Sequence, residues 1–183
     1  MQCSTCGFLS ASFRQTIPAD IAREGVEYVI ESRTLAVGGQ LLTIKTPKDT
    51  YEDIFLPLHG KHQASNAAAA LVAVEAFFGE QELDYEAVLA GFANVQSPGR
   101  CEVLHRDPTI IIDAAHNPHG AKALTETIQS EFTFDEVIGI FAAMGDKDVE
   151  GALVELEKVM DSVIVTKNSS PRSMAVAGVE VIA

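Results

Sequence analysis

Positive charge is scarce in this sequence. Its 183 residues carry 13 Lys and Arg against 26 Asp and Glu, a formal net charge of −13 with a pI of about 4.7. A surface of that sign repels phosphate backbones, which excludes general nucleic-acid binding. An anion can still be held, but only at a local site built from a few Arg, Lys and backbone N–H groups. Long apolar runs are missing too. None approaches the roughly 20 residues that span a bilayer, so no membrane partner is expected. The opening stretch MQCSTCGFLSASFRQ lacks the basic start and apolar core of a signal peptide. A cytoplasmic location is expected. Cysteine is sparse: Cys3 and Cys6 form a lone C-x-x-C, and Cys101 stands far away. A structural zinc site usually takes four ligands and there is no second pair, nor a βαβ pattern around the motif to suggest a redox site. Ordinary cytosolic thiols are expected.

Several nucleotide and nucleophile motifs are absent as well. No G-x-x-x-x-G-K-[ST] occurs; Gly60-Lys61 is followed by His62 and lacks the earlier glycine. No G-x-G-x-x-G follows a strand, and no G-x-S-x-G elbow is present. The chain therefore shows no complete phosphate-transfer machinery of its own.

What is there reads as a soluble globular α/β protein, 47% hydrophobic and 21% charged, long enough for one domain or two small ones. VEYVIESR, QLLTIKT and YEDIFLPL, between residues 26 and 58, alternate like strands and are separated by VGG and PKD turns. Connections that short predict an antiparallel set. The period then changes. HQASNAAAALVAVEAFFG predicts a helix with Leu71, Val74 and Phe78 on its apolar face and Gly79 as its stop. DYEAVLAGFANV predicts a second helix with Asp84 as N-cap. The turn QSPGR, residues 96–100, reads as a linker, dividing the chain into residues 1–96 and 97–183.

Beyond the linker, TIIID, EVIGIFAAM and SVIVT alternate with the helical patterns HGAKALTETIQSEF and DVEGALVELEKVM. Alternation of this kind predicts βαβ units and a three-stranded parallel sheet, its continuously apolar strands covered by helices on both faces. The chain stops at VEVIA, partway into what reads as another helix, so this second domain looks incomplete at its end.

Ligands of open α/β sheets bind beyond the carboxyl ends of the strands. Asp113 sits at such an end and AAHNPHG is the loop there. His119 or Gly120 is expected to open the next helix, whose N-terminal amides can attract an anion. The Asp could accept ribose hydroxyls or hold a metal or an Arg; equally, it could cap the helix while the histidines satisfy loop amides. In MGDKD, Lys147 could face a phosphate or carboxylate, or be solvated while Asp146 or Asp148 caps a helix. TKNSSPRS adds Lys167 and Arg172 at a third strand end. Arg100 of SPGR could reach a triphosphate or be a linker arginine. His62, Gln63 and Asn66 share neighbouring turns of the first helix.

LPLHGKHQASNAAAAL, SPGRCEVL, IIIDAAHNPHGAKAL, MGDKD and VTKNSSPR, in this order and spacing, resemble the folylpolyglutamate synthase/dihydrofolate synthase family of the ATP-dependent Mur ligase superfamily. The resemblance runs from about residue 23 to the end. It implies that residues 1–96 are the late part of a central ATP-binding domain and 97–183 most of a Rossmann-like C-terminal glutamate ligase domain. It implies ATP and Mg²⁺ as cofactors, and L-glutamate with a dihydropteroate or folate acceptor as substrates. They would be joined through an acyl phosphate by a full-length enzyme that is a monomer. By motif, Asn66, Arg100 and Asp113 would contact ATP, the last at its ribose, and His116 would lie beside the nucleotide and help close the cleft. Lys147 and Arg172 would only shape it, and no catalytic residue is assigned. Cys101 stands where the family commonly has leucine. The family's P-loop lies upstream of the matching region, so this chain alone is expected to be inactive. The alternatives are a Mur-type ligase fragment with another acceptor, and a non-catalytic nucleotide-binding remnant.

Overall fold

The structure is a computed structural model and describes residues 21–176. The Cys3/Cys6 pair and the terminal VEVIA fall outside those residues. The chain divides into two compact units, residues 1–96 and 97–183.

The first unit is built on the expected antiparallel sheet: β1 (Val29–Ala36), β2 (Gly39–Lys45) and β3 (Thr50–Leu56), in that order. Ala36 pairs with Gly39, so the β1–β2 turn is only two residues long, and Gly38 supplies its positive φ of 81°. Thr46 closes the β2–β3 turn. Its N–H donates to the Asp49 carbonyl (2.8 Å), and its hydroxyl accepts the Lys48 and Asp49 N–H groups. Leu42, Ile44, Tyr51, Ile54 and Leu56 turn inward from the sheet.

Helix α1 (Lys61–Phe78) covers them, but not with the predicted face. The residues against the sheet are Ala64, Ala67, Ala68, Leu71 and Val72, whereas Val74 and Phe78 are 43% and 44% exposed. The reason is steric. An alanine stripe lets the helix backbone approach the sheet closely, which bulkier side chains would prevent. Val74 and Phe78 instead meet α2 (Tyr85–Ala93) across an apolar groove of about 440 Å³ that also holds Leu83, Val88 and Phe92. The expected punctuation is present. Gly79 ends α1 at φ 60°, and the Asp84 carboxylate caps α2 by accepting the Ala87 N–H at 2.8 Å.

One carboxylate lies inside this core. Glu75 on α1 is buried and accepts the Thr46 hydroxyl (2.8 Å) and the Tyr51 hydroxyl (3.0 Å). Burial, and then the Glu75 carboxylate, push the Tyr51 phenol up to about 12. Tyr85 stacks on Tyr51 at 5.8 Å between ring centroids and bonds both the N–H and the carbonyl of Glu52. The start of α2 is thereby fastened to β3.

The second unit departs from the predicted sheet. β4 (Glu102–Arg106), not foreseen as a strand, forms an antiparallel hairpin with β5 (Thr109–Ile112). β6 (Ile138–Phe141) and β7 (Ser162–Val165) pair in parallel, as expected of βαβ units. Among the described residues, β5 pairs with β4 and not with β6, so the three-stranded parallel sheet is replaced by two two-stranded ones. Helices α3 (Pro118–Glu131) and α4 (Val149–Leu156) pack together through Ala121, Ala152 and Leu156, with Phe141 of β6 beneath. The strands are covered on one face, not two: Ile138, Ile140 and Ile164 are 55%, 75% and 55% exposed.

Candidate functional site at the strand ends of the second unit

The turn before β4 and the loop after β5 are stitched together by backbone. Gly99 (φ 70°) accepts the Ala114 N–H at 2.8 Å and donates to the Glu102 carboxylate at 2.9 Å. Arg100 follows on the outside of this turn, its N–H bonded to the Ser97 carbonyl (3.2 Å) and the residue exposed. Cys101 comes next at φ 48°, a left-handed conformation rare for a residue with a side chain. Its thiol is buried. Desolvation first, then the negative charge of Asp113, pushes that thiol up to about 12, far from a reactive thiolate.

Asp113 does not cap a helix. One carboxylate oxygen accepts the Cys101 N–H (2.7 Å), the other the Ala115 N–H (2.6 Å). The α3 cap is Asn117, whose side-chain oxygen accepts the Gly120 N–H at 2.8 Å, and Pro118 takes the first helical position. The helix thus opens at Pro118, one residue before His119. His116 is exposed, with Nδ1 3.0 Å from the Ala114 carbonyl. A carbonyl can only accept, so the ring proton sits on Nδ1 and leaves Nε2 as the outward acceptor in the neutral ring.

The second loop resolves its alternatives differently. Asp148 caps α4, accepting the Gly151 N–H at 2.9 Å. Asp146 takes the Arg172 guanidinium and stands 3.8 Å from the Lys147 ammonium. Partial desolvation pushes the Asp146 carboxyl up, but its own backbone N–H, Arg172 and Lys147 outweigh this and hold it below the usual range. Arg172 is therefore committed to an ion pair. The third loop folds back on the second: the Gly145 N–H donates to the Arg172 carbonyl and the Met174 N–H to the Ala143 carbonyl, both at 2.9 Å. The first turns of α3 and α4 also touch. A Cβ on Gly151 would lie 2.6 Å from Pro118 Cγ.

These loops enclose a cavity of about 320 Å³, lined by Asp113, His116, Met144, Lys147, Asp148 and Asn168. Of the residues singled out in the sequence, Asp113, His116 and Lys147 come together here, and Arg100 stands on the turn that Asp113 holds. Asn66 belongs to the first unit, on the exposed side of α1, its amide 3.4 Å from the Gln63 side-chain oxygen. Gln63 is buried and faces His62 at 3.1 Å. Nothing in the sequence pointed to Asp146 as the partner of Arg172 or to the left-handed Cys101, because both depend on residues many positions away. Among the described residues, no group of three or more His, Cys, Asp or Glu is placed to hold a metal ion, and no helix is long and apolar enough to cross a membrane.

Known proteins resemble this chain. Residues 99–181 match the family described as "Mur ligase, glutamate ligase domain". The chain is 53% identical, over 161 residues, to the dihydrofolate synthase/folylpolyglutamate synthase of Mycobacterium tuberculosis, an alignment covering 86% of this chain and 33% of that protein. The structure of M. tuberculosis folylpolyglutamate synthase complexed with ADP superposes with a TM-score of 0.85 at 52% identity, covering 88% of this chain and 36% of that one. E. coli FolC in complex with DHPP and ADP gives 0.74 at 28% identity, over 87% and 36%. The chain thus spans about a third of the length of the relatives it matches. Over that third, it belongs to the folylpolyglutamate synthase/dihydrofolate synthase family of Mur ligases.

Proposed function

We propose that this chain supplies the nucleotide-facing loops of an ATP-dependent ligase that adds L-glutamate to dihydropteroate or tetrahydrofolate through an acyl phosphate, in the cytoplasm and as a monomer. Residues 1–96 are read as the late part of the central ATP-binding domain and 97–183 as the glutamate ligase domain. The observation that carries this is the strand-end cavity, where Asp113, His116 and Lys147 converge at the place where α/β sheets hold nucleotides. ADP in the M. tuberculosis and E. coli structures is consistent with it.

The roles follow from donors and acceptors. An ionised carboxylate has about four acceptor positions, and Asp113 uses two on backbone, leaving one on each oxygen for ribose hydroxyls. Arg100, exposed and carrying planar donors, is matched to phosphate oxygens. His116 presents Nε2 beside the same cavity. Asn66, in the first unit, is read by its motif as an ATP contact. Mg²⁺ would offset the triphosphate charge; among the described residues, no group of three or more His, Cys, Asp or Glu is placed to hold it.

The test is a chimera in which residues 23–183 replace the matching stretch of the M. tuberculosis enzyme. Retained ATP-dependent glutamate addition supports the reading. In that chimera Arg100→Ala should lower kcat/KM at least about tenfold, the scale of losing a charged hydrogen bond. A folded chimera without activity would refute the assignment.

A further inference from the structure

The carboxylate of Asp113 does more than face a cavity. Its two oxygens reach in opposite directions along the chain, one to the Cys101 N–H twelve residues earlier and one to the Ala115 N–H two residues later. Between these anchors, the Ala114 N–H bonds the Gly99 carbonyl. The turn and the DAAH loop are thus joined by two hydrogen bonds, Cys101 N–H to Asp113 and Ala114 N–H to Gly99, and a third, from the Ala115 N–H to Asp113, holds the loop on itself. The turn needs the help. Gly99 tolerates φ 70°, but Cys101 at φ 48° carries a side chain, and such a conformation persists only where its surroundings over-determine it. A charge-assisted bond to its N–H, with the thiol buried beneath, supplies that determination. Arg100 lies between these two left-handed residues, so the direction of its side chain is set by a backbone that Asp113 holds.

We infer that Asp113 is a positioning residue for Arg100: its carboxylate locks the turn on which the guanidinium stands, in addition to whatever it offers the nucleotide. The coupling to ligand rests on the nucleotide reading above; the lock does not. It follows that Asp113 and Arg100 act as one unit. A substitution at Asp113 removes the ribose acceptor and releases the arginine together.

The experiment uses the whole 183-residue chain and the isosteric Asp113→Asn, with Asp113→Ala as a second variant. An asparagine keeps one acceptor oxygen and turns an N–H₂ group toward the other backbone donor. Amide hydrogen exchange is measured residue by residue. The expected result is a loss of protection of at least about tenfold at the Cys101 or Ala115 amide in Asp113→Asn, and at both in Asp113→Ala, matching a charge-assisted bond. The Phe132 and Glu157 amides, bonded to the Ile128 and Leu153 carbonyls in the same unit, are the internal control for folding and should stay unchanged. Native protection at both amides in both variants would overturn the lock. The second readout is a double-mutant cycle in ADP affinity. Arg100→Ala should weaken binding about tenfold in the unsubstituted chain and less than about twofold in the Asp113→Asn background, as residues of one unit behave. Additive losses would overturn the coupling. A chain that binds no ADP would sink the nucleotide reading alone, and the exchange rates would still decide the lock.

Discussion

Two glycines show how differently one missing methyl can matter. A Cβ on Gly39 would lie 2.2 Å from the Leu56 carbonyl oxygen and 2.8 Å from Pro57 Cα, both backbone at the end of β3. A Cβ on Gly139 would meet only the thioether of Met160, at 2.3 Å. Backbone in a sheet has nowhere to go, whereas methionine repacks easily. Gly39→Ala should therefore destabilise the protein by about 3 kcal/mol and Gly139→Ala by under about 1 kcal/mol, on the scale of overpacked cores. Urea titrations of the two variants decide this, and equal losses would contradict the contacts. Tyr51 makes a prediction about pH. Its phenol titrates near 10 when unfolded and near 12 when folded, so the unfolded chain loses the proton first. The stability this provides is complete below pH 10 and disappears as pH rises through 12. Tyr28 shifts in the same direction, through burial and then Glu24. The urea midpoint should fall between pH 10 and 12, and less steeply in Tyr51→Phe.

At the scale of elements, the helix–sheet contact of the first unit depends on smallness. Ala64 and Ala68 have no exposed surface at all. Ala68→Leu should lower stability by about 1–3 kcal/mol despite adding apolar area, because the helix must lift off the strands. A gain in urea midpoint would show that the interface has room. This contact also marks where the sequence was readable and where it was not. Period-two alternation and short turns are local properties, so β1–β3 could be foreseen, as could the Gly79 stop and the Asp84 cap. Which side of α1 faces the sheet depends on how near the two can come, and Val74 and Phe78 misled, while Leu71 did not, because size argued for burial when closeness argued for alanine. β4 escaped notice because EVLHR is short and half polar, and becomes a strand only by pairing with β5. In the candidate site, Asp113 was visible at its strand end, and so was its loop. Its two partners are backbone N–H groups, which every residue has and no motif records.

The whole molecule holds separate cores in its two units, the first around Leu42, Ile44 and Ile54, the second around Ala121, Ala152 and Leu153. Its net charge of −13 opposes self-association, while Ile140, at 75% exposure on β6, favours it. The repulsion is long-ranged and screened by salt, with a Debye length falling from about 30 Å at 0.01 M to about 3 Å at 1 M; the apolar attraction is not. Sedimentation should show the chain associating as salt rises. Ile140→Thr, which keeps a β-branched residue in the strand, should reduce that association and change stability by less than about 0.5 kcal/mol. Association that weakens with salt would point to ion pairs between copies instead.

The contact between Gly151 and Pro118 has a consequence for the breadth of the cavity. Neither residue offers a group that could bind or react, yet they are the point where the starts of α3 and α4 rest on each other, directly beneath the loops bearing His116 and Lys147. They act as a shim whose thickness is one absent methyl. Thickening it with Gly151→Ala would pry the two helix starts apart and shift both loops at once. A screen for lost activity would then mark as essential a position whose whole contribution is to be thin.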